Sequence, residues 1–133
     1  MTNELVPDID AINEPYWKAL RNGALHFQEC THCGHRWLPA RDLCPACLKG
    51  ESLWKPASGK ATIKSWVVYH VAFHPAFKDR LPYNVTLVEL AEGPRLLTNI
   101  VGENVSLVAE AAVRLAIDVN LSVPLATFVL ADA

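Results

Sequence analysis

Glycine is scarce in this chain, and none of its six copies forms a G-x-G or G-x-x-x-x-G-K pattern, so neither dinucleotide nor P-loop phosphate binding is signalled. A G-x-S-x-G nucleophile elbow is missing too. No apolar run approaches the roughly 20 residues that span a bilayer. The start, MTNELVPDIDAINEPYW, has neither a basic n-region nor an apolar h-region, so a cytoplasmic protein without a membrane segment is expected. Net charge is small, with 12 Lys or Arg against 14 Asp or Glu, which gives no general push toward nucleic acid or anionic membrane. His70 and His74 have no carboxylate within four residues, and no catalytic set is evident.

What is present describes a folded domain. Hydrophobic residues make up 51% of the 133 positions and charged residues 20%, as in globular proteins. That length suits one moderate domain or two very small ones sharing a core. Charge is unevenly spread: residues 21 to 80 hold nine Lys or Arg against four Asp or Glu, and the flanks hold three against ten. The middle would hold an anion, although a solvated face accounts for the same imbalance.

All four cysteines fall in residues 30 to 47, CTHCGHRWLPARDLCPAC. Two Cys-x-x-C turns present four thiolates to one tetrahedral ion, so Cys30, Cys33, Cys44 and Cys47 are the expected ligands of structural Zn²⁺. Iron in a rubredoxin-like site would take the same four thiolates. Disulfides fit a reducing compartment poorly. Four sulfurs leave no open position for water or substrate, and no thiol remains as a nucleophile. His32 and His35 are then surface residues. Gly34 supplies the positive φ of the first knuckle, and Gly50 is expected to do so for the second.

Around this site the pattern predicts a helix over about residues 14 to 22, with Pro15 in its first turn and Asn22-Gly23 as its stop. Its Tyr16 and Trp17 must pack on the chain itself or on a partner. ALHFQE and RWLPA read as ribbon strands. From Ser58 the chain turns β-rich. SGKATIKSWVVYHVAF alternates, with Ile63, Val67, Tyr69, Val71 and Phe73 on one face and Thr62, Lys64, Trp66, Val68 and His70 on the other. YNVTLVEL and RLLTNIVG form a hairpin, ENVSLVAEAAVRLA (residues 103–116) reads as a helix, and AIDVNLSVPLATFVL gives two short strands. The expected fold is mainly β with short helices: a helical segment (1–23), a rubredoxin-like zinc ribbon (24–57) and a five-stranded OB-fold barrel (58–133). A small open sheet fits the same pattern.

Zinc ribbon and OB barrel together raise the alternative of a single-stranded nucleic-acid-binding module. The second and third barrel strands should then carry aromatics and bases. They hold Tyr83 at one end and Arg95 as the only base, facing Glu89, so nucleic acid is not the favoured partner. A redox or metal-sensing ribbon is a third reading.

The stretches EPYWKALRNGALHFQECTHCGHRWLPARDLCPAC, SGKATIKSWVVYHV, PYNVTLVEL and EGPRLLTNIVG resemble the zinc-ribbon and OB-fold family associated with thiolase-like enzymes, long catalogued as a domain of unknown function. The resemblance runs from about Asn13 to Val129. It implies a subunit with no activity alone that binds a thiolase-superfamily catalytic chain in a hetero-oligomer acting on acyl-CoA, as a thiolase or retro-aldolase making or breaking a carbon-carbon bond beside the CoA thioester. The resemblance further implies that the small subunit supplies interface and sometimes part of the CoA channel. Arg36, Arg41, Lys60, Lys64 and Arg80 are the candidates for CoA phosphates. Tyr16, Trp17, Trp37, Phe73 and Tyr83 are the candidates for the interface or the pantetheine. Two departures stand out: Gly59-Lys60-Ala61 where a glycine pair is common, and Ala116 in place of the glycine that usually precedes the fourth barrel strand.

Overall fold

A computed structural model describes residues 8–72, 75–102, 105–120 and 123–131. Helix α1 (Glu14–Arg21) has Pro15 in its first turn, and Gly23 at φ +87° ends it as the Gly23 N–H bonds back to Leu20 O. Three strands make the ribbon: β1 (His26–Cys30), β2 (Arg36–Trp37) and β3 (Ser52–Pro56), in the order β2-β1-β3. Five make the barrel: β4 (Lys60–Tyr69), β5 (Tyr83–Leu90), β6 (Arg95–Thr98), β7 (Ala112–Asp118) and β8 (Leu125–Leu130), in the order β6-β5-β4-β7-β8. A parallel bridge between Ile100 and Phe128 brings the outer strands together, so the sheet curls into an OB-like barrel. A 3-10 helix, Pro75–Arg80, lies between β4 and β5.

The core joins helix and barrel. Leu20 and Leu25 are buried with Ile63, Val88, Leu90, Val113 and Phe128, and each such side chain contributes about 1.5–3 kcal/mol relative to exposure. Tyr16 and Trp17 pack against this cluster, so the barrel itself supplies the groove that the short helix needs. Where the β5–β6 ladder ends, Asn84 continues it with a side chain: its Nδ2 donates to Ile100 O at 2.8 Å, and its Oδ1 accepts from the Ile100 N–H at 2.8 Å. This holds Ile100 where it bridges Phe128.

Three expectations fail on long-range grounds. The helix over residues 103–116 does not form: β7 starts at Ala112, and the described residues before it form no helix and include a turn at 109–110. Leu107, Ala111 and Leu115 have helical spacing, but pairing with β4 and β8 satisfies the backbone of residues 112–118, and Glu110 at φ +66° is incompatible with a continuing helix. Ala116 therefore lies inside the fourth barrel strand, and the left-handed position before that strand is Glu110. The face assignment along β4 fails beyond Ile63. A bulge lies between Ile63 and Ser65, whose partners are the adjacent residues Val88 and Leu87, so Val67 joins the outer face while Ile63 stays in the core. Strand β3 was not anticipated as part of the ribbon, yet it pairs with the whole of β1.

Candidate metal centre and barrel mouth

Two knuckles with the same backbone pattern form the ribbon tip. In the first, the Gly34 N–H bonds to Cys30 O and the Cys30 N–H to His35 O. In the second, the Leu48 N–H bonds to Cys44 O and the Cys44 N–H to Lys49 O. Each leading sulfur accepts two backbone N–H groups, Cys30 Sγ from His32 and Cys33 at 3.4 and 3.5 Å, and Cys44 Sγ from Ala46 and Cys47 at 3.4 and 3.5 Å. The matching left-handed residues are Gly34 (φ +78°) and Leu48 (φ +67°). Gly50 is not among the residues with positive φ, so a leucine makes the reversal assigned to it.

All four Sγ atoms lie within 4.8 Å of one another, with Cys30 to Cys47 at 3.5 Å and Cys33 to Cys44 at 3.6 Å. A tetrahedron with Zn–S bonds of about 2.3 Å has edges of about 3.8 Å. As bare thiols the four cannot all ionise. The Cys33 and His32 N–H groups draw Cys30 down to about 6 against burial, while Cys33 is pushed up to about 12, the pull of the His35 N–H being outweighed by burial and the neighbouring thiols. A central divalent cation resolves that conflict, and four sulfurs saturate it. His32 and His35 are exposed.

The ribbon is fastened by groups that composition did not single out. Buried Gln28 donates from Nε2 to Arg41 O at 2.9 Å and accepts the Arg41 N–H at 2.8 Å, tying the loop that leads to Cys44 onto β1. Glu29 accepts from Lys55 and Arg36, each at 2.7 Å, and these two hold its carboxyl below the usual carboxylate range. Arg36 also donates to Glu92 O at 3.1 Å, which links ribbon to barrel. Asn84 beside the apolar run of β5 was an available signal, whereas Gln28, with His26 and Glu29 in the same strand, had none.

The five CoA candidates do not converge. Arg36 is held by Glu29 and Glu92, Lys64 by Glu110 and Glu89 at 2.9 and 3.2 Å, and Arg80 by Asp118. Arg41 and Lys60 are exposed, and no side-chain ion pair engages them among the described residues. Among the interface candidates, Tyr16 and Trp17 belong to the helix–barrel packing, and burial raises the Tyr16 hydroxyl to about 12. Trp37 is only 5% exposed, packed with Cys30 and Cys44, its indole N–H without an acceptor among the described residues. Phe73 lies outside the described residues, as does His74. Tyr83 packs edge-on against Tyr69 and lines a cleft of about 660 Å³ at the barrel mouth. Arg80, Asn84, Asn99, Ile117 and Asp118 also line it.

A family model described as the ChsH2 rubredoxin-like zinc ribbon domain matches residues 17–53, and one described as the ChsH2 C-terminal OB-fold domain matches residues 54–118. A solved chain of the Ltp2-ChsH2(DUF35) aldolase superposes with TM-score 0.82 at 32% identity, covering 95% of this chain and 99% of that one. The chain belongs to the ChsH2 (DUF35) family. A DUF35-family protein of unknown function from Sulfolobus solfataricus, at 18% identity and TM-score 0.65 over 88% of this chain and 83% of its own, shares the fold. Among curated relatives, a probable enoyl-CoA hydratase alpha subunit of Thermomonospora curvata is 39% identical over 72% of this chain and 30% of its own length. A DUF35 domain-containing scaffold protein of Methanothermobacter thermautotrophicus is 40% identical over 55% of each. The chain thus spans about half the length, or less, of the curated relatives it matches. Family membership supports structural zinc in the ChsH2-type ribbon. No helix among the described residues is long and apolar enough to cross a membrane.

Proposed function

We propose that this chain is a zinc-containing, non-catalytic subunit that scaffolds a thiolase-superfamily enzyme acting on acyl-CoA esters in a hetero-oligomer. The observation that carries this reading is the likeness to a solved chain of the Ltp2-ChsH2(DUF35) aldolase over nearly its whole length. The metal centre supports it, because a saturated four-sulfur site stabilises a fold and offers no Lewis acid to a substrate. Cysteines placed for metal also suit a reducing, cytoplasmic compartment. Arg41 and Lys60 are the cations that remain for a CoA phosphate, in contact or as part of a channel shared with the catalytic chain.

Affinity purification of the tagged chain from its host, with mass spectrometry of whatever stays bound through a salt wash, tests the proposal. The expected result is stoichiometric recovery of a thiolase-like chain, with carbon-carbon cleavage of an acyl-CoA by the complex and none by the isolated subunit. Turnover by the isolated subunit, or recovery of nucleic acid in place of protein, would overturn it.

A further inference from the structure

Among the described residues, backbone pairing of β4 on its β7 side ends at Ile63. The β4–β7 pairs run from Lys60 with Arg114 to Thr62 with Ala112, and two more bonds join Ile63 with Ala111 and Glu110. From Ser65 to Val68, β5 is the one strand that pairs with β4 among the described residues. Which amides face the open side follows from the register. The Leu90 N–H turns to Pro94 O on the β6 side, so Val88 and Thr86 face β6, while Leu87 and Val85 face β4. Their partners Ser65 and Val67 therefore point their backbone groups inward. Trp66 and Val68 present theirs to the open edge.

Charge and proline, two of the usual guards against edge-to-edge association, are missing from Ser65 to Tyr69. Soluble proteins protect such edges with charge, proline or a covering loop. No Asp, Glu, Lys or Arg occurs between Lys64 and Lys78. Trp66, Val67, Val68 and Val71 are 38%, 52%, 47% and 67% exposed. The apolar surface continues outward across the sheet through Val67, Val85, Leu87 and the exposed Leu97, which share one face by register.

We infer that an extended, uncharged segment of the partner protein pairs with this edge of β4 and extends the barrel sheet by one strand. The inference rests on the reading of the chain as a subunit. An edge of unpaired amides and carbonyls selects an extended chain over a helix, since only a strand returns both bonds. The uncharged stretch selects an uncharged one, because a charge brought onto it would lose hydration without gaining a counter-ion. A second copy is excluded as occupant by size. Mutual pairing would engage five residues a side, against the roughly 20–30 of a standard stable interface. A larger partner can add the apolar sheet face to the strand.

Hydrogen exchange at the Trp66 and Val68 amides, read in the isolated chain and in the purified assembly, tests this. Fast exchange alone and at least tenfold slower exchange in the assembly is expected. Val68→Pro, which removes one of those amides, should lower partner retention at least tenfold; should it fail to fold, Val68→Lys keeps the amide and places a charge on the edge, with the same loss expected. A thiolase-like partner that binds while both amides exchange at free-chain rates overturns the edge inference and leaves the subunit reading intact. Slowed exchange in an assembly with an unrelated protein does the reverse. Protection of both amides in the isolated chain, or the absence of any assembly, overturns the inference.

Discussion

Cys30 Sγ and Cys47 Sγ stand 3.5 Å apart across 17 residues of sequence, and Cys33 and Cys44 repeat the relationship at 3.6 Å. Each knuckle contributes one buried leading sulfur and one more exposed following sulfur, so the ion that the site takes is shared equally between two halves of the ribbon. Neither half can hold its geometry without the other.

Metal removal should therefore unfold the ribbon. Elemental analysis is expected to give one zinc per chain. Chelation at neutral pH, or Cys44→Ser, should remove the metal and lower Tm by well over 10 °C, since apparent binding energies of such sites are about 10–16 kcal/mol. Iron as the native metal would overturn the assignment. Retention of the native melting curve after complete metal loss would show that the ribbon stands on packing alone.

Leu48 occupies the place in the second knuckle that Gly34 has in the first. A left-handed leucine costs about 1–2 kcal/mol. The side chain is 70% exposed and gains little from packing. Leu48→Gly should stabilise the protein by up to about 1 kcal/mol once the added freedom of the unfolded chain is subtracted, read as a rise in Tm. A fall would show that Leu48 packs in the folded state.

Gly59 makes the opposite prediction. It enters β4 at φ +90°, its carbonyl accepts the Leu115 N–H at 2.7 Å, and a Cβ there would sit 3.3 Å from Leu115 Cβ. Gly59→Ala should cost about 1–3 kcal/mol through strain and the shift forced on β7. An unchanged Tm would mean that the strand entry relaxes freely.

Arg80 clamps Asp118 and, aided by the Asn120 N–H, holds its carboxyl below 3.8, the ordinary value. Because the folded value is depressed, the pair's contribution is complete above 3.8 and is lost as pH falls through the lower folded value. Asp118→Asn should melt several degrees below the wild type at pH 6, and the gap should narrow as pH falls below 3.8 toward the depressed folded value. A gap that stays constant through the acid limb would assign the loss to packing instead of charge.

Much of the architecture is legible in local sequence because it is set locally. Pro15 and Gly23 bound a helix by backbone geometry, and the Cys-x-x-C spacing fixes a metal ribbon through coordination chemistry. The hairpin YNVTLVEL/RLLTNIVG follows from alternation and a short turn. Resemblance to the family extended this to the subunit reading. The segment at 103–116 was illegible for the converse reason: its helical spacing is genuine, and strands distant in sequence outcompete it.

The sequence by itself determined that four thiolates form one saturated site and that a β-rich unit follows, since both depend on residue type and spacing over a few positions. Only the tertiary structure decided which charges were already paired. Arg36, Lys64 and Arg80 look available along the chain, but Glu29, Glu110 and Asp118 reach them from 7, 46 and 38 residues away. It also decided that Trp37 is enclosed while Trp66 is not: Trp66 lies opposite buried Thr86, but β4–β7 pairing ends before it and leaves it 38% exposed. Register and closure are properties of strands meeting, and no single stretch of sequence contains them.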